Sequence, residues 1–567
     1  MFNMRFENWD VSGFDRDAAV ELCQSGVNPL VSVLLVSRGF TDRKKAQTVI
    51  GSDPVPFHDP FLMADMDKAV SRIKKAVENK ERIAIYGDYD VDGMTSSVVL
   101  ALWLRSKGAD YEIYIPGRFD EGYGLNFAAL DALKKRGIGL VVTVDCGITA
   151  LDEAQYAKEL GLGLVITDHH ECRAVLPEAD AVVDPKRTDC TYPYKSLAGV
   201  GVAFKLVNAL EGDYLSDDMF ELYSEFVALG TVADVMPVMG ENRALIRRGL
   251  DMLNSNPRPG LCRLLHEASS DPGKVTASTI GYTLAPRLNA AGRMGKPMLS
   301  VELLLTESDE DADRLAVTLC QLNSERRNLE QEIYDDATAM LPATGPDGPI
   351  ILAYSGWYQG VTGIVAAKMA ERYRLPTIII SIDADGLGRG SCRSFGSFSI
   401  YEALCSCEDI LDNYGGHEMA AGVTVAEENI EMLRRRINDY YNNHIGDEPA
   451  SGLSLDFEVE KPELLTIDNI EALDSLEPFG TDNPLPCLCI MGAMLSSARS
   501  IGSGKHTRLM IEKSGQNLDC IFFSVPAGEL GVGEGELVDV AFEPQVNEYR
   551  GRSSVQLQLF DIRASQI

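Results

Sequence analysis

The 567-residue sequence lacks any run of about 18 apolar residues, and its amino terminus lacks the apolar core of a secretory signal. We therefore expect no membrane contact and a cytoplasmic location. The Cys-x-x-Cys spacing typical of zinc sites is also missing, because the two close pairs, Cys405/Cys407 and Cys487/Cys489, are separated by a single residue. Twelve cysteines scattered in this way predict free thiols in a reducing compartment rather than a disulfide framework.

Positive charge is scarce. The chain has 52 Lys and Arg against 85 Asp and Glu, a formal net charge of −33. Because phosphate affinity comes from Lys and Arg, this balance argues against a protein that coats nucleic acid non-specifically. It does not exclude a nuclease with a local basic groove, since the potential near a site matters more than the total charge.

Three aspartates, Asp88, Asp90 and Asp92, stand within five residues in the segment Gly-Asp-Tyr-Asp-Val-Asp-Gly. The apolar, β-branched run from Ile83 predicts a buried strand before them, and Met94–Lys107 predicts a helix after them. The carboxylates are thus expected at the carboxyl end of a strand, where open α/β sheets bind ligands. Three anions this close repel one another unless cations neutralise them, and hard divalent cations favour oxygen ligands.

Two other kinds of loop contain closely spaced aspartates. A solvated acidic turn is compatible with the three aspartates alone. A calcium-binding EF-hand loop is not, because its twelfth position requires glutamate and holds Val99, and because a strand rather than a helix precedes the loop.

More polar residues follow predicted strands further along the chain. Residues 139–144 lead into Asp145, and residues 163–167 lead into Asp168, His169 and His170. Strands that alternate with helices favour a parallel sheet, which brings these strand ends to one edge. Asp234 follows the segment 228–233. Singly, Asp145 is explained as a helix cap, the histidines as a polar pair and Asp234 as a turn former.

Taken together, these residues are typical of a two-metal hydrolase, which needs several carboxylates, one of them bridging two ions about 3.5–4 Å apart. Mixed carboxylate and imidazole ligands favour manganese, with magnesium as the alternative.

The remaining sequence predicts an α/β multidomain protein. Residues 1–80 are predicted as a helical segment that packs on the domain of residues 81–300, in which 228–237 and 285–293 interrupt the helices. A connecting helix is predicted within 301–342, with Ser308–Leu341 as its span, followed by a smaller α/β domain at 343–447. In the long helix, Arg326 occupies one place of an otherwise apolar stripe. Short strands with turn signals at 451–567 predict a small all-β barrel.

Several segments resemble, in order, the motifs of the DHH phosphoesterases: those containing Asp88–Asp92, Val144–Gly147, Asp168–His170 and Gly230–Pro237. The downstream segments Arg287–Arg293, Gly390–Ser394 and Gly415–Gly422 are similar to the RecJ-like single-stranded-DNA-specific exonucleases within that superfamily. The resemblance extends from about residue 30 to the β-rich end.

This resemblance implies a parallel-sheet DHH domain, a connecting helix, a DHH-associated substrate-binding domain and an OB-type nucleic-acid-binding barrel. It implies 5′→3′ hydrolysis of single-stranded DNA to 5′-mononucleotides with two divalent metal ions, in recombination and repair. RNA is a possible second substrate, and helicases or single-strand-binding proteins are candidate partners of an expected monomer. Two other hypotheses stay open: a phosphodiesterase for short RNA oligomers or cyclic dinucleotides, and a non-catalytic nucleic-acid-binding subunit.

The resemblance also implies roles for individual residues. Asp145 is expected to bridge the two ions, Asp168 to orient a neighbouring histidine, and His170 to contact the scissile phosphate. Asp88 is either a ligand or a partner of one. The full set of expected metal ligands is Asp88, Asp90, Asp92, Asp145, His169 and Asp234. The expected substrate-binding residues are Arg287, Asn289, Arg293, Ser391, Arg393, Gly415, Gly416 and His417.

Two further features concern substrate contacts. Relatives usually have histidine where this chain has Tyr358, and tyrosine cannot carry positive charge at neutral pH. In the barrel, the candidates for a basic track are the turn Lys505, His506 and Arg508 and the turn Tyr549, Arg550 and Arg552, either of which also fits an ordinary solvated hairpin.

Overall fold

The structure is a computed structural model, and it describes residues 6, 8–51, 55, 57–117, 122, 124–212, 216–270, 273–444, 452–549 and 551–566. The chain forms two compact units. The two-sheet unit comprises residues 57–236 and 245–448, and the barrel unit comprises residues 1–56, 237–244 and 449–567.

The first sheet of the two-sheet unit has five strands, all of them parallel. Strands Ile83–Tyr86 and Leu140–Val144 are buried along their whole length, as β-branched runs covered on both faces should be. The predicted parallel sheet is therefore confirmed, and its strand ends share one edge. In spatial order the strands are Tyr111–Tyr114, Ile83–Tyr86, Leu140–Val144, Gly163–Thr167 and Ala181–Val183.

The helix after the aspartate triplet begins earlier than predicted. It spans Val91–Ser106, so Asp92 lies in its first turn, and Asp90 is the N-cap whose carboxylate accepts from the Gly93 N–H at 3.0 Å. Asparagine and aspartate are favoured at this position because they satisfy an unpaired N–H group. Residues 91–104 of this helix are all buried, so Asp92 is held inside the domain.

The second sheet of this unit is mixed. Its strands run in the order Asn413–His417, Ala420–Ala426, Leu387–Arg393, Thr377–Ile382 and Ile350–Tyr354, and only the last two are parallel. The predicted connecting helix spans Asp309–Ala339, with the Ser308 side chain as its cap. Its 31 residues extend about 46 Å at 1.5 Å per residue.

Of the two predicted interruptions of the helical region, 285–293 is wrong, and 228–237 is correct only from Asp234, where the helix ends and the chain stays non-helical to Met239. Residues 228–233 complete the helix Asp217–Ala233, with Asp234 as its C-cap. Residues 285–293 form the helix Ala285–Arg293, which directly follows a π-helical turn at Ile280–Leu284. Pro286 lies in the first turn of that helix, where its missing N–H costs no hydrogen bond. The other helices of this unit are Met66–Glu78, Phe127–Lys135, Leu151–Glu159, Gly199–Glu211, Pro259–Glu267, Ala277–Thr279, Met298–Leu305, Gln359–Tyr373, Ile400–Cys405 and Ile430–His444, and Gly240–Ser255 lies across residues of both units.

The barrel unit confirms the predicted all-β end of the chain. Its sheet closes on itself because the strand Leu488–Ile501 pairs with both His506–Lys513 and Leu537–Tyr549. The remaining strands of the closed barrel are Gln516–Phe522 and Arg552–Ala564, with Phe457–Glu458 added beside Leu488–Ile501, and Asn8–Val11 pairs in parallel with Gly452–Leu455.

The amino-terminal segment does not stay together as predicted. Helices Arg16–Gln24, Pro29–Ser37 and Arg43–Ile50 bury their apolar faces in the core of the barrel unit, whereas Met66–Glu78 belongs to the two-sheet unit. Amphipathic spacing shows that a helix buries one face, but it does not show which core receives that face. Arg243 is also buried in the barrel unit, where its guanidinium donates to the carbonyls of Val49, Leu476, Glu477 and Pro478.

All twelve cysteines are free, as predicted. Among the described residues, none of the helices is both long enough and apolar enough to cross a membrane.

Candidate functional site

The predicted polar strand ends meet at the edge of the parallel sheet. The Nε2 atom of His169 lies 3.1 Å from Asp145 Oδ1, 3.5 Å from Asp234 Oδ2 and 3.7 Å from Asp92 Oδ2. A second group consists of Asp88, Asp90 and Asp145, whose ligand atoms lie within 4.8 Å of one another. Asp145 belongs to both groups, and all six predicted metal ligands are thus brought together.

These residues fit divalent metal ions. Within the described part of the chain, Asp145 Oδ1 and His169 Nε2 are buried and have no hydrogen-bond partner, although they face each other. Buried polar atoms are normally paired, so two such atoms at one point indicate a ligand that completes them. The carboxylate oxygens and imidazole nitrogen are donors that manganese and other divalent ions accept.

The electrostatics of the cluster support the same conclusion. Burial and the charges of Asp234 and Asp90 raise the pKa of Asp92, and burial and the charges of Asp92, Asp90 and Asp88 raise the pKa of Asp145. Burial and the charge of Asp90 raise the pKa of Asp234 to about 7. Crowded carboxylates in this state ionise fully only beside a compensating cation. Burial and the nearby charge of His170 lower the pKa of His169 to about 3, which keeps its imidazole neutral, as metal ligation requires.

Asp92 is fixed by the start of another helix. Its two carboxylate oxygens accept from the backbone N–H groups of Gly199 and Val200, at 2.7 and 2.8 Å. These N–H groups belong to the first turn of Gly199–Glu211, where no intrahelical partner exists and the helix dipole favours an anion. Asp92 therefore keeps one orientation before any ion binds.

Asp168 orients His170. Its Oδ1 lies 2.7 Å from His170 Nδ1 and accepts from the backbone N–H of His169, while its Oδ2 accepts from the N–H of Ile148. Burial opposes the positive charge of His170, but the hydrogen bond and charge of Asp168 outweigh it and raise the pKa of His170 to about 9. The side chain of His170 is 39% exposed, so its imidazole is accessible to a ligand from solvent.

Glycines that the sequence interpretation missed make this packing possible. A Cβ atom on Gly199 would lie 2.5 Å from Asp145 Oδ1, and one on Gly230 would lie 2.7 Å from Asp92 Oδ1. Asp145 itself has φ of +62°, a backbone conformation that residues other than glycine rarely adopt and that is concentrated at functional sites. The spacing of these glycines in the sequence carries no periodic signal, which is why only the structure reveals them.

The three predicted substrate-binding residues of the helix Ala285–Arg293 have different surroundings: two line a pocket, and one caps the preceding turn. Asn289 accepts from the Val91 N–H at 3.1 Å and so supports the helix that carries Asp92. Asn289 and Arg293 line a small pocket, whereas Arg287 donates to the Thr283 carbonyl of the preceding turn.

A larger cleft of about 750 Å³ lies beside the cluster. Its wall includes Tyr89, between two of the clustered aspartates, and Ser391 and Gly415 on the second sheet. The Ser391 hydroxyl lies 3.2 Å from the hydroxyl of Thr362, in the first turns of Gln359–Tyr373. Arg173, Gln359 and Arg389 also line the cleft.

The other three predicted residues of the second sheet do not line this cleft in the described structure. Arg393 lies at the end of its strand, close enough to the helix start that a Cβ atom on Gly363 would be 3.4 Å from its Nη2. Gly416, with φ of +141°, is tightly packed against the backbone of Ala420 and Ala421, and His417 is exposed beside it.

Comparisons with known proteins match most of the chain. Residues 82–231 match the DHH family, N-terminal domain, residues 347–443 match the DHHA1 domain, and residues 455–561 match the RecJ OB domain. The single-stranded-DNA-specific exonuclease RecJ of Bacillus subtilis is 40% identical over 98% of this chain and 71% of its own length. That of Escherichia coli is 33% identical over 94% of this chain and 96% of its own length.

This chain belongs to the RecJ family. The crystal structure of RecJ from Thermus thermophilus in complex with Mn²⁺ superposes with a TM-score of 0.84 at 28% identity, covering 99% of this chain and 80% of that one. The recognition of the family from its motifs is confirmed, and so is the predicted fold class, with its DHH and DHHA1 parts and its OB barrel.

The sequence has two further features: Tyr358 and the basic turns of the barrel. Tyr358 is the N-cap residue of Gln359–Tyr373 and packs, half-buried, in an apolar cluster. In the barrel, Arg508 is paired with Asp519 at 2.6 Å, and His506 Nδ1 accepts from the Ser524 N–H, so only Lys505 of that turn is an exposed cation. Of the second basic turn, Arg550 and the side chain of Tyr549 lie outside the described residues.

Proposed function

We propose that this protein is a metal-dependent exonuclease that degrades single-stranded DNA in the 5′→3′ direction to 5′-mononucleotides, in recombination and repair. The observation that carries the proposal is the convergence of Asp88, Asp90, Asp92, Asp145, His169 and Asp234 in two groups that share Asp145. Membership of the RecJ family, whose curated relatives are named single-stranded-DNA-specific exonucleases, supports the substrate.

We assign two divalent ions to this cluster, with manganese preferred. One ion would be held by Asp92, His169 and Asp234, the other by Asp88 and Asp90, and Asp145 would serve both. When bound, such ions stabilise charge on the phosphoryl oxygens and make a water molecule acidic enough to attack near neutral pH. The imidazole ligand favours manganese over magnesium, and RecJ structures contain each of these metals.

His170 is assigned to the scissile phosphate. Because its Nδ1 is bonded to Asp168, the donor that we assign to the phosphate is Nε2. Despite burial, the hydrogen bond and charge of Asp168 raise the pKa of His170, which favours a charged donor that stabilises the negative charge building on the phosphate oxygens. Asp168 acts as a positioning residue for His170.

The 5′ end of the strand is assigned to the cleft. The start of Gln359–Tyr373 presents backbone N–H groups, and helix starts favour phosphate groups. Ser391 and Arg389 line the same cleft, and Arg393 lies close to the same helix start. A terminal phosphate held there, with Tyr89 reaching from the metal cluster, would place the first phosphodiester bonds at the ions. Contacts from Arg287, Gly416 and His417 stay predictions.

The test is product analysis on single-stranded DNA labelled at either end, with manganese supplied. We expect the 5′ label to appear in mononucleotides while the 3′ label stays in a shortening polymer. Faster loss of the 3′ label would refute the direction. Short RNA and a cyclic dinucleotide, offered in parallel, test the smaller phosphodiesterase alternative, and release of no product from any of them would favour the non-catalytic subunit.

Three other expectations are kept as predictions: the monomeric state, helicase or single-strand-binding partners, and the cytoplasmic location. The domain limits 81–300, 301–342, 343–447 and 451–567 also stay predictions. Residues 445–447 and 451 lie outside the described ranges.

A further inference from the structure

Arg326 interrupts the apolar stripe of the long helix, and its side chain lines a pocket of the two-sheet unit. The guanidinium is mostly buried, with 11% of the side chain exposed. Its Nε and Nη2 donate to the Asn323 side chain, and its Nη1 donates to Glu330 at 2.6 Å. These contacts use three of the five N–H groups, so two remain for a ligand among the contacts that the structure describes.

Arg326 lines a pocket of about 220 Å³ within the two-sheet unit. The described lining contains a second arginine, Arg293, and the amide of Asn289, but no acidic residue. Ala233 also lines this pocket, and it directly precedes Asp234 of the metal cluster in the sequence. Two guanidinium groups on one small pocket, in a protein of net charge −33, form a local positive site beside an acidic one.

The charge of Arg326 is not cancelled by its own partner. Glu330 is buried and pairs with Lys368 as well as with Arg326, so the trio carries a net positive charge. The pocket is smaller than the roughly 300–1,000 Å³ typical of sites for whole drug-sized ligands. Its size suits one phosphate of a polymer backbone, and its planar arginine donors suit phosphate oxygens.

We propose that this pocket binds a backbone phosphate of the DNA strand next to the scissile bond, and that Arg326 is a substrate-binding residue that makes this contact. The inference rests on the proposed function, because the strand must pass the metal cluster to reach the pocket. Arg326 would supply the contact from the connecting helix, while Arg293 supplies it from the helix Ala285–Arg293.

The test uses single-stranded oligonucleotides in which one linkage at a time is a neutral methylphosphonate. For the wild type we expect kcat/KM to fall about tenfold to hundredfold at one linkage near the scissile bond, as for loss of a charge-assisted hydrogen bond. Arg326→Met should lose a similar factor on unmodified DNA and nothing further at that linkage. Arg327→Met is the matched control, because Arg327 is the exposed neighbour on the same helix, and it should behave as the wild type.

Glu330→Gln separates binding from packing. It weakens the same intrahelical pair but keeps the arginine charge, so it should retain the sensitivity at that linkage. If Arg326→Met unfolds at a lower temperature than can be assayed, Arg326→Lys replaces it, and its smaller loss on unmodified DNA should disappear when that one linkage is neutral. A wild type whose rate falls equally wherever the neutral linkage stands, or an Arg326→Met variant with the linkage profile of the wild type, would overturn the proposal.

A binding measurement distinguishes failure of this inference from failure of the proposed function. Without added divalent metal, the slope of log K against log salt concentration for single-stranded DNA should be smaller by about 0.7 in Arg326→Met than in the wild type. An unchanged slope overturns the phosphate contact whether or not the wild-type enzyme cleaves DNA. A wild type that cleaves no DNA refutes the proposed function alone.

Discussion

Gly199→Ala should disable the metal cluster without replacing any of its predicted ligands. The added Cβ would lie 2.5 Å from Asp145 Oδ1 and 2.6 Å from Asp145 Cβ, short of the 3.4 Å of ordinary contact by about 0.9 Å. Asp145 cannot swing away freely, because the crowding reaches its Cβ and its backbone already has φ of +62°. Either Asp145 or the helix start that holds Asp92 must move.

A displacement near 1 Å at a reacting centre can cost about 10²-fold in rate. We therefore expect kcat/KM for single-stranded DNA to fall about 10²-fold, together with weaker manganese binding in calorimetry. Gly201→Ala is the matched control. It lies on the same helix, and the nearest atoms to its Cβ would be those of the Leu197 side chain, at 3.3 Å, so a shift of a few tenths of an ångström accommodates it.

Both substitutions replace glycine by alanine in a helix, which favours the helix by up to about 1 kcal/mol in each variant. The overlap with Asp145 adds a packing cost of about 1–3 kcal/mol in Gly199→Ala alone, so we expect its unfolding temperature to be lower than that of Gly201→Ala, and activity is compared well below both. Wild-type activity and manganese affinity in Gly199→Ala would refute the account of how Asp145 is held.

The remaining predictions concern the histidine, the cleft and the barrel unit. Asp168→Asn should return the pKa of His170 from about 9 towards its ordinary value near 6.5, so His170 loses its positive charge at a lower pH than in the wild type. The rate should therefore fall at least about tenfold at pH 8 and less at pH 6. Parallel pH–rate profiles of the variant and the wild type would contradict this. Ser391→Ala should raise KM about tenfold for DNA with a 5′-phosphate and leave DNA with a 5′-hydroxyl unchanged, and equal effects on both would exclude a 5′-phosphate contact. Arg243→Met should lower the free energy of unfolding of the barrel unit by at least about 3 kcal/mol, since it removes the hydrogen bonds that the buried guanidinium donates to the carbonyls of Val49, Leu476 and Glu477, and a denaturant titration that shows no loss would contradict this.

The sequence was sufficient to predict the cluster because a parallel sheet leaves little freedom. Asp145 and Asp168 each follow a buried apolar strand, and strands of one parallel sheet end at one edge. The helix Val91–Ser106 was predicted to start three residues late, at Met94, because residues 91–93 show no apolar spacing typical of a helix. Aspartate at an N-cap position, here Asp90, is nevertheless a recognised start signal.

Other features depend on contacts between distant segments. The helices of residues 16–50 are amphipathic, but nothing in that pattern specifies the barrel core that they enter. Gly199 and Gly230 are required only because Asp145 and Asp92 come within 3 Å of where a side chain would begin. Arg326 was visible as an exception in the stripe, yet its meaning comes from the pocket that the folded chain builds around it.

The most direct test of the shared cluster is the Asp145→Ala variant, with Asp335→Ala, an exposed aspartate on the long helix, as its control. Manganese stoichiometry and nucleotide release from single-stranded DNA would be measured on the same samples. We predict two manganese ions and full activity for the wild type and the control. For Asp145→Ala we predict weakened binding of both ions and no manganese-dependent release, with a native unfolding temperature. Two tightly bound ions and near-wild-type release in Asp145→Ala would contradict the account.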